Sequence, residues 1–360
     1  MVYLDIPGEV PKDQMTPKER SAAIKAGEPY DRIPCSPMTA EQVIWATGIT
    51  VKDYLFNPKQ AAEAMAAAFN HFGYDSVSVS PDHHGFAEAL GCEFYYTDYE
   101  RPQIKTNILK CEEDIMALEP VDPKTTGRLK LCIEAVAYLQ ELVGDKVKVG
   151  SGMGGPLTCA SFLRGTDNLL RDMRKHPEYV HKMMEVNTQN CINYMAACWE
   201  YGVGCSMGDS FSSCTLISPK YFREFVKPYL KRIADWQREN MGTVGNLHIC
   251  GETRAIWDDM LDLGFGSFSL DNCMDLEEAK NYMGDKVGLK GNVKPVEIMV
   301  YGTPEDVMRE SKICIDKCMD SPKGFTLSSG CTLPVETPVE NVQAMVDAAR
   351  IWGRPKHNLD

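Results

Sequence analysis

What this chain lacks narrows its class before any motif is read. No apolar run approaches the ~20 residues needed to span a bilayer, so a membrane protein is not expected. The start, Met-Val-Tyr-Leu-Asp-Ile-Pro-Gly-Glu, has neither the basic region nor the long apolar region of a secretory signal, which points to the cytoplasm. Acidic residues outnumber basic ones 51 to 38, and no lysine or arginine cluster exists to track a phosphate backbone, which disfavours nucleic acid as a partner. Two glycine-rich stretches, Gly150 to Pro156 and Gly202 to Gly208, match neither the dinucleotide nor the P-loop spacing. No linker, composition break or internal repeat divides the 360 residues.

Thiols, by contrast, are abundant: 14 cysteines, beside 19 methionines. In a chain neither small nor secreted that count does not imply disulfides, and it suits a reducing or anaerobic cell. Cys132 and Cys159 sit in apolar settings and read as small buried hydrophobes. Cys314 and Cys318, four apart on one helical face, and Cys273, after Leu270-Asp271-Asn272, read the same way.

His248, Cys250 and Cys331 stand apart. A His-x-Cys pair followed about eighty residues later by a third thiol gives three metal ligands and leaves a fourth position open. Catalytic zinc is held that way, whereas structural zinc is closed by four protein ligands. Two thiolates and a neutral imidazole would make the site neutral. Such a zinc can hold a thiolate that still attacks, or act as a Lewis acid on an ether or alcohol oxygen. Both roles fit transfer of a one-carbon group. A core histidine beside two buried thiols is the plain alternative.

Short apolar runs near Ile33–Ser36, Ser76–Ser80, Val147–Ser151, Gly202–Met207, Val244–Ile249, Gly266–Leu270, Val287–Lys290 and Phe325–Ser328 read as strands. Segments of helical period lie between most of them: Pro58–Phe72, Thr166–Trp199 broken near Pro177, Pro219–Gln237, Gly251–Leu263, Thr303–Met319 and Pro338–Trp352. Eight strands alternating with helices predict an α/β fold, a single (β/α)8 TIM-type barrel over residues 31–360. An open doubly wound sheet is the alternative. Residues 1–30 form an N-terminal extension with a helix Pro17–Ala26 introduced by Thr16. Cys92–Tyr99 and Arg101–Ile108 are expected to pair as an inserted hairpin over one mouth of the barrel.

Further candidates lie at strand ends. Asp82 and His84, in Asp82-His83-His84, offer a substrate contact or a proton donor, or only a polar loop with a helix cap. Asp209 ends its run in the same way and could orient the metal or the substrate. Asn292 has an uncharged side chain suited to hydrogen-bonding a polar cofactor edge.

Several stretches together resemble the uroporphyrinogen decarboxylase superfamily: Thr16-Pro-Lys-Glu-Arg20, Asp31-Arg-Ile-Pro34, Gly154-Gly-Pro-Leu-Thr158 with Phe162-Leu-Arg-Gly165, and Ser218-Pro-Lys-Tyr-Phe-Arg-Glu-Phe-Val-Lys-Pro228. Leu289-Lys-Gly-Asn-Val-Lys-Pro295, Gly302-Thr-Pro-Glu-Asp-Val307 and the stretch from Ser329 to Asn341 extend the likeness over about residues 16–352. Within that superfamily, His248, Cys250 and Cys331 look like the zinc site of the corrinoid-dependent methyltransferase branch, at the C-terminal mouth of a (β/α)8 barrel. The resemblance implies Zn2+, a corrinoid carried by a separate corrinoid protein, and a small-molecule methyl donor or acceptor. No corrinoid-binding Asp-x-His-x-x-Gly occurs in this chain.

The branch works in two directions. One takes methyl from a donor such as a methoxylated aromatic (O-demethylation) to cobalt; the other moves methyl from the corrinoid protein to a thiol such as coenzyme M. The segment Phe94-Tyr-Tyr-Thr-Asp-Tyr99, read as an aryl pocket, favours the first. A decarboxylase is a further alternative. Asp82 could stand where that enzyme has its aspartate, but Pro34-Cys-Ser-Pro-Met-Thr-Ala-Glu-Gln42 contains no arginine to hold porphyrinogen carboxylates. A non-catalytic corrinoid-binding protein is the last alternative, and homo-oligomerisation stays open.

Overall fold

Leu4 and residues 9–355 are described in the computed structural model. Their strands in chain order are β1 (Ser76–Val79), β2 (Glu93–Tyr95), β3 (Gln103–Thr106), β4 (Lys148–Gly154), β5 (Gly204–Gly208), β6 (Asn246–Ile249), β7 (Ser267–Leu270), β8 (Gly288–Val293) and β9 (Phe325–Ser329). β2 and β3 pair antiparallel as a separate ribbon. The other seven form one parallel sheet in the order β1-β4-β5-β6-β7-β8-β9, with helices in the crossovers.

The first expected strand is the exception. Ile33–Ser36 makes only one bridge, Cys35 to Leu327 of β9. Pro34 and Pro37 carry no N–H, so a ladder cannot run through them. The segment still bonds in both directions: Ser36 N–H donates to Leu327 O, and Asp75 N–H, one residue before β1, donates to Cys35 O, each over 2.8 Å. It therefore touches both edges of the sheet, which is curled, as in a TIM-type barrel.

Local signals account for many of the helix boundaries. Thr16 and Glu19 form a capping box before Pro17, and Gly27, at φ 70°, ends the helix Pro17–Ala26. Asn57 caps Pro58–Phe72, whose Met65, Phe69 and Phe72 are buried. Thr166–Lys175 and Pro177–Trp199 are separated at His176. Two expectations are corrected. The helix begun at Pro219 passes through a π turn, Phe222–Val226, before Lys227–Met241, because Pro228 removes a donor from the ladder. The stretch after Cys250 turns at Gly251 (φ 77°), so its α-helix is only Trp257–Leu263. The long helix Gly127–Val143 was not anticipated.

The strands carry their bulk outward. Val77, Val79, Val149, Leu247, Ile249, Phe268, Leu270 and Leu289 are buried in the core. The positions alternating with them are small or polar, among them Ser76, Ser78, Gly150, Gly152, Gly204, Ser206 and Ser267, and these line a cavity of about 620 Å³. A packed barrel fills that space with branched apolar side chains. Here it is left open.

Ion pairs fasten the N-terminal segment at the opposite end of the strands from the cavity's histidines. Arg20 bonds Asp31 and Asp75; Arg32 bonds Asp13 and Asp75 over 2.6 Å each; Arg350, on the last helix, reaches Asp13 over 3.0 Å. Both Arg20 and Arg32 are buried. Asp75→Ala would leave two buried guanidiniums short of a carboxylate and is expected to destabilise the fold by about 3–5 kcal/mol in urea unfolding. Burial alone would raise the Asp31 carboxyl, but Arg20 holds it at about 2, below the ordinary 3.8. Its stabilising share is thus present above pH 3.8 and lost as pH falls through about 2. The stability gap between the wild type and Asp31→Asn should close over that window in pH-dependent thermal melts.

Candidate metal centre

His248 lies in β6, Cys250 follows one residue past the strand's end, and Cys331 lies two residues past the end of β9. β7 and β8 separate those strands, and the curl of the sheet brings their C-terminal ends together. One donor atom from each residue lies within 4.8 Å of the others. Cys250 Sγ is 3.1 Å from His248 Nε2, 3.8 Å from Cys331 Sγ and 3.2 Å from Ser210 Oγ. His248 is buried and the two thiols are half-buried.

Neighbours fix the orientation of each ligand. His248 Nδ1 lies 3.1 Å from the Ser269 carbonyl, a pairing that puts the proton on Nδ1 and leaves the Nε2 lone pair for a metal. The Asp271 carboxylate accepts from the N–H groups of Gly251 and Cys273, holding the turn after Cys250. Gly251 must be glycine there: its φ is 77°, and a Cβ would meet Thr215 Oγ1 at 2.6 Å. The Cys250 hydrogen bond, aided by His248, holds the Cys331 thiol down at about 4. The same hydrogen bond and burial push Cys250 up. One proton is thus shared between two sulfurs, and a dication would displace it.

The set fits zinc. Zn–S bonds of ~2.3 Å and Zn–N bonds of ~2.0 Å in a tetrahedron put sulfurs roughly 3.8 Å apart and S···N near ~3.6 Å. The sulfurs already stand 3.8 Å apart, and His248 is at hydrogen-bond distance from Cys250.

The triad borders the cavity, which His248, Thr332, His83 and His84 help to line. His83, absent from the sequence-derived candidate set, packs over β5: a Cβ on Gly208 would come within 2.8 Å of its ring. Burial lowers the His83 pKa, and its Nδ1 has no hydrogen-bond partner. Ser210 and Asp271 also lay outside that set.

Asp209 and Asn292 face other tasks. Asp209, fully buried, accepts from Leu157 and Thr158 N–H and from Thr158 Oγ1, at the N-terminus of the helix Pro156–Arg164. Its own N–H donates to the His248 carbonyl, so it braces β6 through the backbone. Asn292 donates to the carbonyls of Asp271 and Met274 and so ties β8 to the loop after β7. Cys314 and Cys318 are buried as expected, whereas Cys273, read from sequence as a packing residue, is exposed.

Residues 16–352 match the uroporphyrinogen decarboxylase (URO-D) family. The chain belongs to that family. Among relatives, the methylcobamide:CoM methyltransferase MtaA of Methanosarcina barkeri is 28% identical over 93% of this chain and 98% of its own length. MtbA of Methanosarcina acetivorans, also a methylcobamide:CoM methyltransferase, is 30% identical over 94% and 98%. A solved methyltransferase from Methanosarcina mazei superposes with a TM-score of 0.83, at 28% identity, over 93% of this chain and 98% of that one.

Against the URO-D background, Asp82 is notable for being fully engaged. Burial alone would raise its carboxyl, but Arg128, 2.9 Å away, and His84, 3.1 Å away, hold it well below the usual carboxylate range. Arg101 brings a guanidinium to the cavity that the 34–42 stretch lacks, bonded to buried Glu41 and to Leu333 O over 2.8 Å each. The expected aryl pocket is not formed. Phe94 packs against His84 and Phe162, Tyr96 against Phe56, and Tyr95 and Tyr99 are exposed; none lines the cavity.

Cys250→Ala is expected to lower zinc from about one equivalent to near none in elemental analysis of dialysed protein, with the far-UV circular dichroism unchanged. Retention of a full equivalent would place the metal elsewhere.

Proposed function

We propose that this chain is a zinc-dependent methyltransferase on a single (β/α)8 barrel, moving methyl from a methylcorrinoid carried by a partner protein to a small thiol. The observation that carries this reading is the His248–Cys250–Cys331 triad at the edge of a cavity lined by small and polar residues. The methylcobamide:CoM activity named for MtaA and MtbA supports the thiol-acceptor direction.

Zinc held by two thiolates and a neutral imidazole supplies a neutral Lewis acid that keeps a substrate thiol deprotonated near pH 7 yet nucleophilic. Ser269 O keeps His248 in the ligating tautomer, and Asp271 keeps the Cys250 turn in place. Burial lowers the His83 pKa and keeps that ring neutral at the cavity wall, and the proton the thiol gives up passes to water. The sulfur then bonds the methyl carbon as the carbon–cobalt bond breaks, and the electron pair of that bond stays on cobalt.

The aryl-donor direction loses the support it drew from residues 94–99, because none of Phe94, Tyr95, Tyr96 and Tyr99 lines the cavity, where Tyr54 is the phenol among the lining residues. Decarboxylation lacks its cluster of free guanidiniums, since Arg101 is tied to Glu41. Anaerobic spectroscopy of zinc-loaded protein tests the direction. Methylcobalamin should lose its methyl to added thiols and yield Co(I). Methylation of Co(I) by methoxylated aromatics, without any thiol reaction, would reverse the assignment.

A further inference from the structure

The cavity holds a cation that the chemistry above does not use. Lys290 lies on β8, in register with Ser269 of β7, which is in register with His248 of β6. Two strand spacings of ~4.8 Å put Lys290 roughly 10 Å from His248 across the same row of the sheet. Both side chains line the one cavity. His248 stands beside the metal ligands, and Lys290 marks a second pole of the same space.

Lys290 has no counter-ion. Among the described residues it makes no ion pair and no side-chain hydrogen bond, and the cavity's carboxylates are committed elsewhere, Glu41 to Arg101 and Asp82 to Arg128. Its side chain lies inside the sheet's curl, and burial pushes its pKa down to about 8. It is half-buried, and its exposed part faces the cavity. Lys148, at the start of β4, also lines the cavity and has no carboxylate partner among the described residues. In a chain of net charge −13, a partly desolvated cation without a carboxylate partner among the described residues carries an unfavourable energy that a bound anion would offset.

We propose that Lys290 determines substrate choice: its ammonium pairs with an anionic group, sulfonate or carboxylate, on the molecule bound in this cavity. This rests on reading the cavity as the substrate site of the methyl transfer. The metal end holds sulfur and the Lys290 end holds the charge. Anionic thiols are thereby selected over neutral thiols of the same length.

The test compares the wild type, Lys290→Met and Lys290→Arg, all zinc-loaded. Methyl transfer from methylcobalamin is measured to 2-mercaptoethanesulfonate, 3-mercaptopropionate and neutral 2-mercaptoethanol. Binding of ethanesulfonate and of propionate, which lack the thiol, is measured by calorimetry. Lys290→Met should reduce the preference for the anionic over the neutral thiol, as a ratio of kcat/KM values, by roughly ten- to a hundredfold, and abolish the anion titration. The loss should appear in KM and not in kcat, and Lys290→Arg should restore part of it. The acid preferred by the wild type separates sulfonate from carboxylate. Because the substitution removes an unpaired buried charge, Lys290→Met should melt no lower than the wild type.

An unchanged thiol preference in Lys290→Met, with neutral and anionic thiols both turned over, would overturn the inference while methyl transfer stands. If no thiol is turned over, the thiol direction fails, and the calorimetry still decides: anion binding lost in Lys290→Met upholds the role of Lys290, and binding retained overturns it.

Discussion

The outward aim of the bulky strand residues is the constraint on which the site depends. Val77, Val149, Leu247, Phe268 and Leu289 are buried in the core, leaving serine and glycine to face the concave side of the sheet. The hydrophobic effect is satisfied without filling the centre. A volume of about 620 Å³ remains, and strands hold several of the polar groups that line it, among them Ser78, Ser206, His248 and Lys290. Replacing the small inner residues by valine or leucine would give a more conventional interior and remove the space in which the triad can meet a ligand.

Strand ends make that space chemically specific. His248 sits in a parallel strand between neighbours that pair with it in register, so its ring has little freedom. Both thiols lie just beyond strand ends, and the turn after Cys250 is fastened by Asp271 and Gly251. A fixed imidazole beside two thiols at strand ends is an arrangement that a tetrahedral metal could use with one position left open. Asp209 joins the two levels, holding a helix with its carboxylate and β6 with its backbone N–H.

Much of this could be read from the residues. The convergence of His248, Cys250 and Cys331 was legible because each was read at the end of a strand of one closed sheet, and seven of the eight strand runs are strands. The eighth fell short because two prolines interrupt its donors, a limit visible in Pro34 and Pro37. The roles of Asp209 and Asn292 were hidden, since their partners lie in distant parts of the chain: Thr158 for one, Met274 for the other. Lys290 was equally silent. A lysine in a strand reads as solvent-facing, and only the hollow it enters shows that it faces the inside of the sheet. The aromatic segment misled for the opposite reason, because ring composition says nothing about which way a ribbon turns its faces.

The segment that joins β9 to the start of β1 also sets an order of assembly. Ser328 donates to Ser36 O across 292 positions of the chain, and Arg350 reaches Asp13 across 337. During synthesis, the first of these residues must wait for nearly everything else to emerge before finding its partners. Loop closure on that scale makes completion of the sheet a late, entropically costly event. The triad shares the delay, since Cys331 follows β9 while His248 and Cys250 lie on β6 and just past its end. A metal bound by the three would therefore be captured only in the last stage of folding.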